Sequence, residues 1–198
     1  MDNLENQTNR ETEKEATFKS FIFETIKVII VSLIIVVPIR AYVGQPFYVD
    51  GASMEPNFHN GEYLIVDQIS YRFAEPVRGD IVVFRPPTND KVFYIKRLIG
   101  LPGETVLINN GKISVIGRDG KELAINEDNY LDVGHQMSET ENYQTTLKEN
   151  EFFVLGDNRR NSLDSRRIGP INKDEIRGKV LLRVLPINRF GLMQNPIY

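Results

Sequence analysis

Three short segments carry side chains whose type and spacing could do chemistry. The first is Asp50-Gly51-Ala52-Ser53-Met54-Glu55-Pro56, directly after the extended run Phe47-Tyr48-Val49. Gly51 and Ala52 leave room for another backbone to approach, and Pro56 bends the chain soon after. A strand that ends in a small-residue turn is a seat for a serine nucleophile. The competing reading is a serine that only bonds its own turn.

The second is Lys96, in Val92-Phe93-Tyr94-Ile95-Lys96-Arg97-Leu98-Ile99. Alternate residues of a strand share a face, so Lys96 falls with Tyr94 and Leu98, and Arg97 with Phe93 and Ile95. Large apolar neighbours strip water from an ammonium and lower its pKa from about 10.4 towards neutrality. A neutral lysine amine can take a proton from a serine hydroxyl, which removes the need for histidine. The competing reading is an edge-strand lysine with its head in water. The third segment, Gly156-Asp157-Asn158-Arg159-Arg160-Asn161-Ser162-Leu163-Asp164-Ser165-Arg166, follows the apolar run Phe152–Leu155. It reads either as a solvated turn rich in Asx bonds, or as a scaffold that orients a buried base through hydrogen bonds and an Asp–Arg pair.

Other chemistries find less support. The chain lacks cysteine and has two histidines, His59 and His135, with no HExxH. Thiolate nucleophiles, disulfides and a two-His zinc motif are therefore excluded, and no metal or cofactor is expected. His59 sits in the turn FHNGE and reads as a solvated loop residue; neither a G-x-S-x-G nor a Ser-His-Asp triad is visible. The net charge of -3 gives no support to nucleic-acid binding.

These segments need elements to position them. Residues 1–20 are polar and read as a tail. From Phe21 the chain turns apolar, FIFETIKVIIVSLIIVVPI, with only Glu24 and Lys27 charged. Residues 21–43 would span roughly 34 Å as a helix, enough for a bilayer core of about 30 Å. A core helix apolar on every face would need a large protein around it. A cleaved leader would end in a small-residue site, and PIRAYVGQP offers none. A permanent transmembrane anchor is favoured. Arg10, Lys14, Lys19 and Lys27 lie before or early in the span, and only Arg40 follows until Arg72. The positive-inside rule then places the N-terminus in the cytoplasm and residues 44–198 outside the cell membrane.

Residues 44–198 show short β-type runs separated by turn residues. Strands are predicted at Pro46–Val49, Tyr63–Gln68, Asp80–Phe84, Val92–Leu98, Thr105–Asn109, Lys112–Val115, Phe152–Leu155 and Lys179–Leu185. Asn110-Gly111 marks a hairpin. Residues 126–150 lack periodicity and read as a long loop or a weak excursion. The predicted fold is mainly β: a curved antiparallel catalytic sheet behind an N-terminal transmembrane helix.

The stretches FYVDGASMEP, YLIVDQISYRF, RGDIVVFRPP, VFYIKRLIGLPGE and FVLGDNRRNSLDSRRIGPI, in this order behind an apolar span, resemble type I signal peptidases. These are the membrane-bound Ser–Lys endopeptidases of bacterial export. The single span and modest length resemble the short bacterial form, and RVLPINRFG resembles the family's C-terminal end. The resemblance implies a nucleophile at Ser53 and a general base at Lys96. It implies that Ser162 positions the lysine amine, that Asp164 and Arg166 form an ion pair shaping the loop, and that Asp157 and Arg97 form a second. The Ser53 N–H would donate to the oxyanion. Some members place a second, serine donor two residues before the nucleophile; here that position is Gly51, an Asp-Gly pair found in short members.

The same resemblance implies substrates. Exported preproteins would be cut after small residues, typically Ala-x-Ala, while held as an added strand between segments 47–51 and 93–96. Phe47, Val49, Met54, Val83, Tyr94 and Ile95 are the expected pocket walls; ordinary β-core packing is the competing reading for each. The partners implied are signal peptides and the lipid bilayer, with no nucleic acid. A catalytically silent binding relative should have lost Ser53 or Lys96, and a self-cleaving repressor-type Ser–Lys protease should begin with a DNA-binding helical domain. Neither expectation is met by this sequence.

Overall fold

The computed structural model describes residues 20–37, 44–89, 91–196 and 198. The expectations for residues 1–19 and 38–43 lie outside them. The chain divides into two compact units, residues 1–42 and 43–198.

Within the first unit, helix α1 (Ser20–Val37) has none of its apolar span buried by protein. Its 18 residues reach about 27 Å at ~1.5 Å each. Ile and Val are poor helix formers in water, but in lipid a helix satisfies every backbone polar group internally. Length and composition therefore suit a membrane span.

The second unit is mainly β, and every strand pair in it is antiparallel. The strands are β1 (Gln45–Tyr48), β2 (Tyr63–Asp67), β3 (Ile81–Phe84), β4 (Tyr94–Gly100), β5 (Thr105–Asn109), β6 (Lys112–Ile116), β7 (Glu122–Ala124), β8 (Tyr143–Thr146), β9 (Glu151–Leu155), β10 (Ile171–Asn172), β11 (Ile176–Leu185) and β12 (Gly191–Leu192). Two single-turn helices interrupt them, α2 (Ser70–Phe73) and α3 (Ser165–Ile168). The large sheet runs β1-β2-β11-β3-β4-β9-β10, with β12 added on β11. A four-stranded sheet runs β7-β6-β5-β8.

Side-chain alternation builds the core. In β3, Ile81 and Val83 join a cluster with Val49, Met54, Phe58, Leu64 and Val66. Val82 and Phe84 join a different cluster with Leu98, Phe152 and Val154. In β9, Phe153 and Leu155 instead pack on Val106, Ile108, Ile113 and Val115 of the small sheet. Strands covered on both faces are apolar throughout, and this explains the unbroken run IVVF. Register shifts in β11, at Ile176/Gly178, Val180/Leu182 and Arg183/Leu185, bend this ten-residue strand. They give the large sheet its curl.

All eight predicted strands exist, with ends shifted by up to three residues. The Asn110-Gly111 turn joins β5 to β6 with both residues at positive φ, 49° and 74°, as a two-residue hairpin requires. Residues 126–150 are an excursion with one strand rather than a bare loop. Tyr143–Thr146 forms β8 at the edge of the small sheet, where only alternate residues are partly covered. Leu131, Met137 and Leu147 of the same stretch are buried.

Candidate active site

Ser53 lies in the turn between β1 and β2. Its carbonyl accepts from the Asn158 N–H at 3.1 Å, and Asn158 Nδ2 donates to the Ala52 carbonyl at 3.1 Å. The loop after β9 thus holds the serine's own backbone. Gly51 has φ of 100°, and its N–H donates to Asn60 Oδ1 at 2.9 Å. That N–H is already engaged, so it does not make up for the missing hydroxyl at this position.

Lys96 sits in β4 opposite Val82 of β3. It is only 3% exposed. Its Nζ lies 2.7 Å from Ser53 Oγ and 2.8 Å from the Ile95 carbonyl. The ring of Tyr94 is 5.4 Å away. Burial pushes the Lys96 amine down to about 8, although Asp164 and Asp157 pull it back upward. Desolvation wins because neither carboxylate is a direct partner of the amine: each is already bound to an arginine.

Those pairs are well defined. Arg97 grips Asp157 with two bonds, Nε to Oδ1 at 2.8 Å and Nη2 to Oδ2 at 2.7 Å, in a buried site. Its guanidinium also stacks 4.3 Å over the Tyr130 ring. Burial works against the Arg97 charge, but Asp157 overcomes it and raises the pKa. Arg166 grips Asp164 at 2.9 and 2.8 Å and also reaches Glu141 at 3.0 Å. Burial would raise the Asp164 carboxyl, yet the Arg166 bonds hold it below the usual range. Asp164 further caps α3 through the Arg166 N–H and accepts from the Gly156 N–H at 3.1 Å.

Ser162 is placed differently from expectation. It is buried, but no hydrogen bond joins its Oγ to Lys96, whose amine meets Ser53 Oγ and the Ile95 carbonyl; Ser162 lies instead beside Asp164 and helps hold that carboxyl down. Ser162 also packs on Gly156. A Cβ built there would stand 2.2 Å from Ser162 Oγ and 2.5 Å from the Ser53 carbonyl. Gly156 is therefore the spacer that lets the loop and the nucleophile turn meet.

A groove of about 270 Å³ opens beside the pair. Phe47, Val49, Val83, Tyr94 and Ile95 line it, together with Ser53 and Lys96. Met54 does not: it is 1% exposed and packs into the core beneath the turn. Tyr48, Asp50, Leu64, Phe93 and Leu163 also line the groove. Of these, Tyr48, Asp50 and Phe93 fall in the expected segments 47–51 and 93–96 and Leu163 in the loop 156–166, while Leu64 carried no sequence signal. Among the described residues both flanking segments have a free edge: β1 pairs with β2 alone, and residues 94–96 pair with β3 alone, because β9 ends at Leu155, opposite Arg97.

Further polar residues converge here without having been legible in the sequence. Asn57 Nδ2 donates to Asp157 Oδ2 at 2.8 Å and to the Tyr130 carbonyl at 2.9 Å. Arg159, almost fully buried, bonds the Gly156 carbonyl at 2.8 Å, Tyr130 Oη at 3.2 Å and the carboxylate of Glu127. Neither histidine joins Ser53: His59 pairs with Glu55 at 3.4 Å, and His135 pairs with Asp132. Among the described residues no group of three or more His, Cys, Asp or Glu side chains could hold a metal ion.

A hydroxyl and an amine thus meet at the wall of an apolar groove on a curled antiparallel sheet. The chain belongs to the signal peptidases of the Peptidase S26 family, whose pattern residues 22–185 match. It is 36% identical over 178 residues to "Probable signal peptidase I-1" of Synechocystis, with 86% of each chain covered. It is 36% identical over 173 residues to "Signal peptidase I S" of Bacillus subtilis, covering 86% of this chain and 92% of that one. The crystal structure of a signal peptidase I from Enterococcus faecalis V583 is 30% identical, with a TM-score of 0.43, covering 54% of this chain and 97% of that one. This protein is accordingly a serine peptidase of the signal peptidase I kind.

Proposed function

We propose that the protein removes signal peptides from exported preproteins after Ala-x-Ala, with Ser53 as nucleophile and neutral Lys96 as general base. The observation that carries this reading is the 2.7 Å contact between Ser53 Oγ and a buried, water-stripped Lys96 Nζ. Deprotonated Lys96 accepts the Ser53 proton as Oγ attacks the carbonyl carbon of the scissile bond. The tetrahedral oxyanion takes the Ser53 N–H. The Lys96 ammonium then protonates the leaving amine, and an acyl-enzyme remains. A water, giving its proton to Lys96, hydrolyses this ester and restores Ser53.

Substrate enters as an extra strand between β1 and the free edge of residues 94–96. Phe47, Val49, Val83 and Ile95 leave shallow apolar space for small side chains before the cut. Such pockets discriminate by only about 1–3 kcal/mol per methylene. The fixed depth of the signal segment in the bilayer therefore also selects the bond. Helix α1 anchors the enzyme in the cell membrane with its N-terminus inside and the peptidase unit outside. Ser162 keeps the Gly156 contact closed, and the Asp164–Arg166 and Asp157–Arg97 pairs hold the loop in shape. The reaction needs neither metal nor cofactor.

The test is cleavage of an Ala-x-Ala preprotein in detergent or lipid by wild type and by Ser53→Ala, both shown to fold alike. Cleavage after the final Ala by wild type only is expected. Equal cleavage by both would remove Ser53 from the mechanism.

A further inference from the structure

We propose that Arg189, acting with Arg183 and Glu62, positions the nucleophile's turn, so that the segment after β11 takes part in setting the reacting geometry. This rests on the reading of Ser53 and Lys96 as the reacting pair. Arg189 is a positioning residue, not a catalytic one.

The turn after Ser53 closes through the Phe58 N–H on the Met54 carbonyl at 2.9 Å. Its other carbonyls are captured from outside. The Asn57 carbonyl accepts from Arg183 Nη2 and from Arg189 Nη2, the latter at 3.2 Å, and the Pro56 carbonyl receives Arg189 Nη2 at 3.4 Å. Both guanidiniums are tied to one buried carboxylate. Glu62 Oε1 lies 2.6 Å from Arg189 Nη1, and Oε2 lies 2.8 Å from Arg183 Nε. Glu62 is 2% exposed.

Charge explains why the turn is recruited. Two guanidiniums against one carboxylate leave one positive charge in excess. The groups that meet it all belong to the turn: the carbonyls of Pro56 and Asn57, and the ring of Phe58, 4.8 Å below Arg183 Cζ. A planar guanidinium shared between a carboxylate and main-chain oxygens fixes orientation, which a point charge cannot do. Asn57 links this clamp to the site, because its side chain bonds Asp157, the partner of Arg97. A shift of the clamp therefore moves the turn that carries Ser53 relative to β4, which carries Lys96. The groove walls on β1, β3 and β4 make none of these bonds.

The experiment uses the full chain in detergent with an Ala-x-Ala preprotein. Wild type, Ser53→Ala, Arg189→Met, Arg189→Lys and Glu62→Gln are compared at equal folded fraction, reading kcat, KM and the pH midpoint of kcat/KM. Arg189→Met is expected to lower kcat about tenfold or more, as small misplacements of reacting groups do. KM should change little. The pH midpoint should rise, because a loosened Ser53–Lys96 contact lets water reach the amine. Arg189→Lys should recover part of kcat. Wild-type kcat and midpoint in folded Arg189→Met would overturn the inference. So would an activity loss that only tracks the folded fraction. Should Arg189→Met not fold, Glu62→Gln decides, with the same expected shifts and the same overturning result. Failure of wild type to cleave, or cleavage by Ser53→Ala, overturns the parent reading and this inference with it.

Discussion

Lys96 is a buried amine, and burial has a cost whatever its role. Burial lowers its pKa to about 8 from the ordinary lysine value of 10.5. The native state thus releases a proton near pH 8, while the unfolded chain keeps it until about 10.5. Between these values the unfolded state binds more protons, so stability rises with pH by up to about 1.4 kcal/mol per unit. Below pH 8 both states are protonated, and the native state bears the buried charge. On the proposed mechanism the same titration would turn on the base, so cleavage should rise through about pH 8 and level off above it. Lys96→Met should fold, lose cleavage and lose this stability rise. Urea unfolding of both proteins from pH 7.5 to 10 checks it; parallel stability curves would show that Lys96 does not titrate there. This much was legible in sequence, because Tyr94 and Leu98 flank Lys96 on one strand face. Asn57, Glu62 and Arg189 were not. They are ordinary polar residues in turns and strand ends, and only the fold brings them to one carbonyl.

At the scale of elements, the loop after β9 meets the turn after β1 at Gly156. Alternation and turn residues made these elements readable, since strands buried on one or both faces have distinct apolar patterns. β7, β8, β10 and β12 were unreadable for the converse reason: each is two to four residues long and largely exposed or polar. The expected bond from Ser162 to the lysine came from the family resemblance, whereas here Ser162 lies against Gly156 and Asp164. Gly156→Ala tests the meeting point. Its Cβ would press on the Ser53 carbonyl, which is backbone and cannot rotate away. We expect about 1–3 kcal/mol of destabilisation, as for other overpacked sites, and a larger fractional loss of cleavage than of folded protein. Full activity with unchanged melting would show that the two elements have slack there.

The molecule as a whole consists of two compact units. All three core clusters, and Ser53 with Lys96, lie in residues 43–198. The excursion of 126–150 is bound into that unit, because Glu127 and Tyr130 hold Arg159 and so brace the loop after β9. None of the apolar window of helix α1 is buried, and by length and composition it suits lipid. Deleting residues 1–42 should therefore leave the melting temperature and the pH midpoint of cleavage of a short peptide unchanged. Cleavage of a preprotein embedded in vesicles should fall, because the enzyme no longer shares the two-dimensional phase of its substrate. Calorimetry and paired assays in detergent and vesicles separate these effects. A lowered melting temperature would mean that the first unit supports the fold of the second, and equal vesicle cleavage would mean that the peptidase unit finds the membrane by itself.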